Sequence, residues 1–312
     1  MSEPVISIIC NTYNQKKYIA DALDSFLMQK VSVPFEILVH DDASADGTAD
    51  IIREYEKTYP NIVKPIYQTE NQFSKNISIT SQIQIPRAKG KYIAFCEGDD
   101  YWSDSDKLQI QYDYMESHSE CSACCHAYSM VDKNKNLIEE RYDFSEDCSV
   151  PIKRLIGNQL TLPQFATLFV RRECFDKFDA NGKFLELSCN DMLIRIVCAV
   201  QGDVHYINRN MSCYRRFTEG SWTERVGKKN EQFTVSLKKY IPFLKALDDY
   251  TNGKYKNNIL KCIDRREFEI DLLENRYKDA IKRRAFKKTT LKRKIYIILG
   301  CVCPNLINNI KK

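Results

Sequence analysis

Along the first hundred positions the apolar residues fall in short continuous runs, each closed by a polar turn. Val5–Cys10 is the first run, and Asn11, Thr12, Tyr13 and Asn14 end it. Ile19, Ala22, Leu23, Phe26 and Leu27 then recur at helical spacing. Phe35–His40 is a second run and flows into Asp41–Thr48; a helix over 48–58 follows, turning Ile51, Ile52 and Tyr55 inward. Ile62–Tyr67 reads as a third strand, and 69–89 is irregular. A fourth run, Ile93–Cys96, stops at Glu97-Gly98-Asp99-Asp100. Strands without alternation, separated by helices, predict an α/β fold with a mainly parallel sheet covered on both faces.

Beyond that point a helix is expected around Leu108, Gln111 and Tyr112, then strands at 121–130 and 136–140 joined by a polar turn at Asp132–Asn136. Residues 141–160 read as loop with a short helix, Phe165–Val170 as a strand, and Leu193, Ile196, Val197 and Val200 as one face of a helix. Asp203–Asn208 reads as another strand, followed by Met211–Trp222. From Thr223 the pattern turns helical, with one stripe through Phe233, Leu237, Tyr240, Ile241 and Leu244 and another through Ile259, Cys262, Ile263, Phe268 and Leu272. The domain expectation is therefore 1–222 as an α/β domain, in halves 1–117 and 118–222, and 223–312 as a helical extension.

Charge sharpens that division. The 312 residues carry a net +5, but residues 276–312 hold twelve Lys/Arg against one acid, Asp279, a local +11. The remainder is mildly acidic at −6. A basic tail with apolar residues (Lys282–Lys288, then Lys292–Leu299) has the composition of a helix lying in a membrane interface, where each Lys/Arg near an anionic leaflet contributes about 1 kcal/mol. The apolar face and the lack of a recognition module favour a membrane over nucleic acid. The longest apolar run, Ile295–Cys303, falls far short of the roughly 20 residues of a membrane-spanning helix. Thirteen scattered cysteines and a start without a secretory signal predict a reducing cytoplasm with buried thiols; Cys121–His126 reads as core rather than half a zinc site.

In such sheets ligands bind at the carboxyl ends of the strands. Tyr13, Asp42 and Asp99 all lie at those ends. Each has a bland reading: a loop aromatic, a turn former, a solvated acidic turn. Together they suggest a nucleobase stacked on Tyr13, a base N–H held by Asp42, and a hard cation held by carboxylates beyond the fourth strand. Gly98 fits a place where the backbone turns or a ligand comes close. Asp191, in the first turn of a predicted helix, reads on residue grounds alone as a partner of the helix dipole.

Val5–Asn14, His40–Thr48 and Phe95–Leu108 resemble the nucleotide-sugar domain of family 2 glycosyltransferases, over roughly residues 4–222. The resemblance implies a GT-A-type fold and inverting transfer of a sugar from a nucleoside-diphosphate donor, most often a UDP-sugar. It implies Tyr13 on the base, flanked by Thr12 and Asn14, Asp42 on the base N–H, and Glu97-Gly98-Asp99 in place of the family's DxD. Glu97 and Asp99 would then contact the donor, and Asp99 and Asp100 would bind Mn²⁺ or Mg²⁺. Asp191 stands where the family has its catalytic base. The family places a phosphate-contacting loop at Met211–Trp222, often with a His that helps hold the metal. No His follows His205, so Arg215 or Arg216 is expected to meet the diphosphate instead, the bland alternative being a surface Arg pair. The implied acceptor is a lipid-linked or surface-polysaccharide glycan at the inner face of the plasma membrane. Two other readings remain: a sugar nucleotidyltransferase, disfavoured by the absence of glycine in Asn11–Asn14, and a non-enzymatic membrane- or nucleic-acid-binding protein.

Overall fold

A computed structural model describes residues 3–157, 163–178, 191–218 and 230–303. The chain divides into two compact units, the first reaching Ser221 and the second comprising 156–158 and 222–312.

The first unit is a curled sheet of ten strands: β1 (Ile6–Thr12), β2 (Phe35–Asp41), β3 (Val63–Tyr67), β4 (Tyr92–Phe95), β5 (Tyr101–Trp102), β6 (Cys121–Val131), β7 (Leu137–Arg141), β8 (Cys148–Ser149), β9 (Phe169–Arg171) and β10 (Asp203–Arg215). Their order is β3-β2-β1-β4-β9-β6-β10-β5, with β7 on β6 and β8 on β10. β3, β2, β1 and β4 are parallel, as are β6 and β10; β9 runs antiparallel to both β4 and β6 and joins the two sets. This is the mainly parallel sheet that the apolar runs predict. In β1, Ile6, Ile8, Ile9 and Cys10 are wholly buried, which explains a run with no polar alternation. The helices Ile19–Leu27 (α1) and Thr48–Thr58 (α2) cover it through Ile19, Leu23, Phe26 and Ile52.

Three expectations change. Phe165–Val170 is not one strand: Gln164 accepts the Ala166 N–H and turns Phe165–Thr167 into a 3₁₀ helix before β9. The last strand does not stop at Asn208 but runs to Arg215, because register shifts at Ile207/Asn210 and Asn210/Ser212 absorb the polar residues and return Met211, Ser212 and Cys213 to the interior. The residues expected in a loop at 211–215 are therefore strand. Within 69–89, Ile79–Gln84 forms a π-helical turn held by the Gln84 amide, which donates to the Leu38 carbonyl at 2.8 Å and the Cys10 carbonyl at 3.3 Å.

The second unit is helical: Asn230–Tyr250, Lys256–Leu273, Tyr277–Lys282, Arg284–Lys288 and Leu291–Val302. Tyr240, Phe243, Leu244 and Leu247 of the first helix are buried, as are Ile259, Cys262, Ile263 and Phe268 of the second. No helix among the described residues is long and apolar enough to cross a membrane.

Candidate active site

The strand order reverses direction at β1: β2 and β3 extend to one side, β4 to the other. In an open α/β sheet the crevice at such a switch point, beyond the carboxyl ends, is where ligands bind. Thr12 ends β1, Asp42 follows β2, and Glu97–Asp100 follow β4. Gly98 lets the β4 turn close on β1. Its N–H donates to the Asn11 carbonyl at 3.0 Å, and an added Cβ would stand 2.8 Å from Thr12 Cβ and 2.6 Å from Gln15 Oε1. Thr12 Oγ1, buried beside Gly98, has no hydrogen-bond partner among the described residues.

The loop carrying Tyr13 and Asn14 is tied to the one after β2. Asn14, in a left-handed conformation at φ 52°, receives the Ala45 N–H on Oδ1 and donates its own N–H to Ser44 Oγ. Gln15 and Lys16 amides donate to Thr48 Oγ1 and Asp46 Oδ2. Tyr13 is half-buried in this double loop. Asp42 is buried, and its carboxylate accepts the backbone N–H groups of Gln72 at 2.7 Å and Phe73 at 3.1 Å. It thereby anchors the segment 71–76, a duty invisible in the sequence. Each oxygen keeps a second lone pair.

Asp99 and Asp100 are buried side by side. Burial raises both carboxyls above the ordinary range, and for Asp100 the charge of Asp99 adds to it. Asp100 Oδ1 accepts the Arg215 backbone N–H at 2.8 Å and Oδ2 accepts the Gln164 amide at 2.9 Å. Asp99 Oδ2 accepts the Thr218 hydroxyl at 3.0 Å, and the Gln15 side chain also bonds this carboxylate. Phe217 is left-handed at φ 63°, costly for a bulky side chain; that turn delivers Thr218 to Asp99. Glu97 is exposed at the mouth. Buried Cys10 reports the local field: burial, then Glu97, Asp99 and Asp100, pushes its thiol upward.

Arg215 does not face solvent. Its side chain is 1% exposed, Nη1 donates to the Asp99 carbonyl at 2.6 Å, and Nη2 pairs with Asp21 Oδ2 at 2.7 Å. The guanidinium lies over Tyr18 and Tyr101 at 4.7 and 5.1 Å. Arg215 thus braces the acidic turn, and of the two arginines expected to meet a diphosphate only Arg216, beside Phe217, is partly exposed. Asp191 opens the helix Asp191–Ala199, but its side chain lies outside the described residues, as does Trp222.

Among the described residues no three His, Cys, Asp or Glu side chains gather into a metal cluster. The donor set nevertheless fits a Mg²⁺-type cation, which takes one or two carboxylates and completes its shell with water and substrate phosphate oxygens. Two buried carboxylates raised by burial and mutual repulsion gain from such a counter-charge. Gln15, Asp21, Gln164 and Thr218 were not legible as site residues: each is an ordinary polar residue far from the acidic turn in sequence.

The family model for "Glycosyl transferase family 2" matches residues 7–178, more than half of the chain. The chain belongs to glycosyl transferase family 2. An uncharacterized protein of Mycobacterium tuberculosis is 31% identical over 219 residues, 70% of this chain and 60% of that protein, so the chain spans under two thirds of that relative. Among solved structures, S. aureus TarS with UDP-GlcNAc superposes with TM-score 0.58 at 17% identity, covering 95% of this chain and 79% of TarS. The mannosyltransferase PcManGT of Pyrobaculum calidifontis, with GDP-Man and Mn²⁺, gives TM-score 0.54 at 17% identity, covering 97% and 81%. These likenesses establish a glycosyltransferase fold of GT-A type, with the C-terminal helices in addition.

Proposed function

We propose that this family 2 glycosyltransferase moves a sugar from a UDP-sugar to a hydroxyl of a lipid-linked or surface-polymer glycan, with inversion at the anomeric carbon. The observation carrying the reading is the convergence of Thr12–Asn14, Asp42 and Glu97–Asp100 on one crevice at the sheet's switch point. Tyr13 stacks on the base and Asp42 accepts its N–H. Glu97 and Asp99 meet the ribose and diphosphate side of the donor, with Arg216 on the diphosphate. Asp99 and Asp100 would hold the divalent cation, which supplies positive charge to the departing diphosphate. Asp191 takes the proton of the acceptor hydroxyl as its oxygen bonds to the anomeric carbon; the bond from that carbon to the diphosphate oxygen breaks, and the nucleoside diphosphate leaves. TarS with UDP-GlcNAc supports a UDP donor, and PcManGT with GDP-Man and Mn²⁺ supports a diphosphate-plus-cation site.

The enzyme would work on the inner face of a membrane as a peripheral protein, near a lipid-linked acceptor; the basic C-terminal segment supports this. Substituting Asp191→Asn separates the roles. Donor binding should survive while transfer is lost, and retained transfer would remove Asp191 from the mechanism.

A further inference from the structure

The last described helix, Leu291–Val302, is fixed on one side and open on the other. Ile297 is fully buried, and Gly300 presses on the Tyr277 ring so closely that a Cβ would stand 2.6 Å from it. Arg293 forks onto the Glu269 carboxylate, with Nη1 at 3.0 Å, and lies over Phe268 at 5.4 Å. These contacts on the helices Lys256–Leu273 and Tyr277–Lys282 set the rotation of the helix about its axis.

That rotation turns five large apolar side chains outward: Leu291 (74% exposed), Ile295, Ile298, Leu299 and Val302 (72%). At about 100° per residue they fall within a single arc of roughly 100°. Lys292 and Lys294 lie just beyond its two edges, within about 20° and 40° on the same wheel. Arg284, Lys287 and Lys288 precede the helix, exposed. Among the described residues these five cations have no ion-pair partner, whereas Arg276, Lys282, Arg283 and Arg293 all do. An apolar arc rimmed by unpaired cations complements an anionic bilayer surface, with acyl chains under the arc and lipid phosphates at the rim. At twelve residues the helix lies in the interface rather than crossing it.

We propose that Leu291, Ile295, Ile298, Leu299 and Val302, with Lys287, Lys288, Lys292 and Lys294 around them, form the surface by which the protein sits on an anionic membrane. The inference rests on the peripheral part of the functional reading and not on the donor or base assignments.

The test is vesicle flotation of the full chain, without nucleotide, on phosphatidylcholine alone and on phosphatidylcholine mixed with phosphatidylglycerol. The wild-type protein should float with the mixed vesicles, not with the neutral ones, and less so at high salt. Ile295→Glu with Ile298→Glu should weaken partition more than about tenfold. Replacing Lys287, Lys288 and Lys292 by Gln should weaken it on the order of a hundredfold. Unchanged circular dichroism and an unchanged nucleotide response show that each variant is folded with its donor site intact. The Lys-to-Gln set, which touches no packing, carries the test should the double Glu variant unfold. No flotation of the wild type, or flotation indifferent to lipid charge and to both variants, overturns the proposal. So does a wild-type dimer that the double Glu variant converts to monomer without any vesicle binding, because the apolar arc would then belong to a second copy of the chain.

Discussion

Arg215 shows how a residue's sequence neighbourhood can mislead about its work. Beside Arg216 and ahead of a turn, it reads as an exposed diphosphate clamp. In the fold its three groups go to Asp100, Asp99 and Asp21. Arg215→Ala removes the donor of the buried Asp99 carbonyl, a loss of about 1–3 kcal/mol for an acceptor left unsatisfied, while Asp21, 27% exposed, keeps Lys135 at 2.6 Å and the backbone N–H still reaches Asp100. The measurement is chemical denaturation together with donor titration, both of which should fall; Arg215→Lys should not rescue either, because one ammonium nitrogen does not replace the two separate guanidinium nitrogens that reach Asp99 and Asp21, nor the planar face over Tyr18 and Tyr101. Gly98→Ala forces a Cβ against Thr12, and overpacking of this sort costs roughly 1–3 kcal/mol. Its donor affinity should fall with its melting temperature. Buried Lys107 gives a pH signature. Its ammonium donates to the Gln111 oxygen at 2.6 Å and lies over the Trp102 ring at 4.0 Å, and burial lowers it from 10.5 to about 7. Between those values the unfolded chain binds the proton that the folded chain has released, so this group's contribution to stability rises with pH across that window and is lost as pH falls to about 7. The stability of the wild type relative to Lys107→Met should therefore climb from about pH 7 to 10 in a denaturation series, and a flat difference would refute the account.

At the level of elements, the strands that build the crevice were readable because burial on both faces leaves a strand no choice but continuous apolar sequence. β1, β2 and β4 are such cases, and helix 48–58 matches its expected bounds. What escaped was structure set by long-range polar contacts. Gln164 folds its own neighbourhood into a turn while reaching Asp100, and Gln84 stabilises a π-helical turn from carbonyls on β1 and β2. Asp42 belongs with them: the sequence marks it as an acid at a strand end but not as the acceptor for Gln72 and Phe73 amides. Asp42→Ala removes the acceptor of two part-buried N–H groups that water can partly replace, a loss on the order of 1 kcal/mol. Hydrogen exchange should quicken at Gln72 and Phe73 while β1 amides keep their protection; equal quickening of both would mean that Asp42 supports the sheet rather than the segment.

For the whole molecule, charge divides the chain where the contact pattern also divides it. The acidic first unit concentrates Glu97, Asp99 and Asp100 in one crevice, a field that a bound cation would offset, and the second unit carries Lys287, Lys288, Lys292 and Lys294, which have no ion-pair partner among the described residues. Binding of nucleotide and cation should therefore stabilise the protein jointly. A ligand at about 100 times its dissociation constant contributes roughly 2.7 kcal/mol, which for a unit of this size raises the melting temperature by roughly 5–10 °C. The most direct test is a thermal-shift panel of nucleoside diphosphates and nucleotide sugars, each with and without Mn²⁺. A shift of that size with UDP, dependent on Mn²⁺, larger with one UDP-sugar and abolished by Asp99→Asn, is the result predicted here. No shift with any nucleotide, with or without the metal, would contradict it.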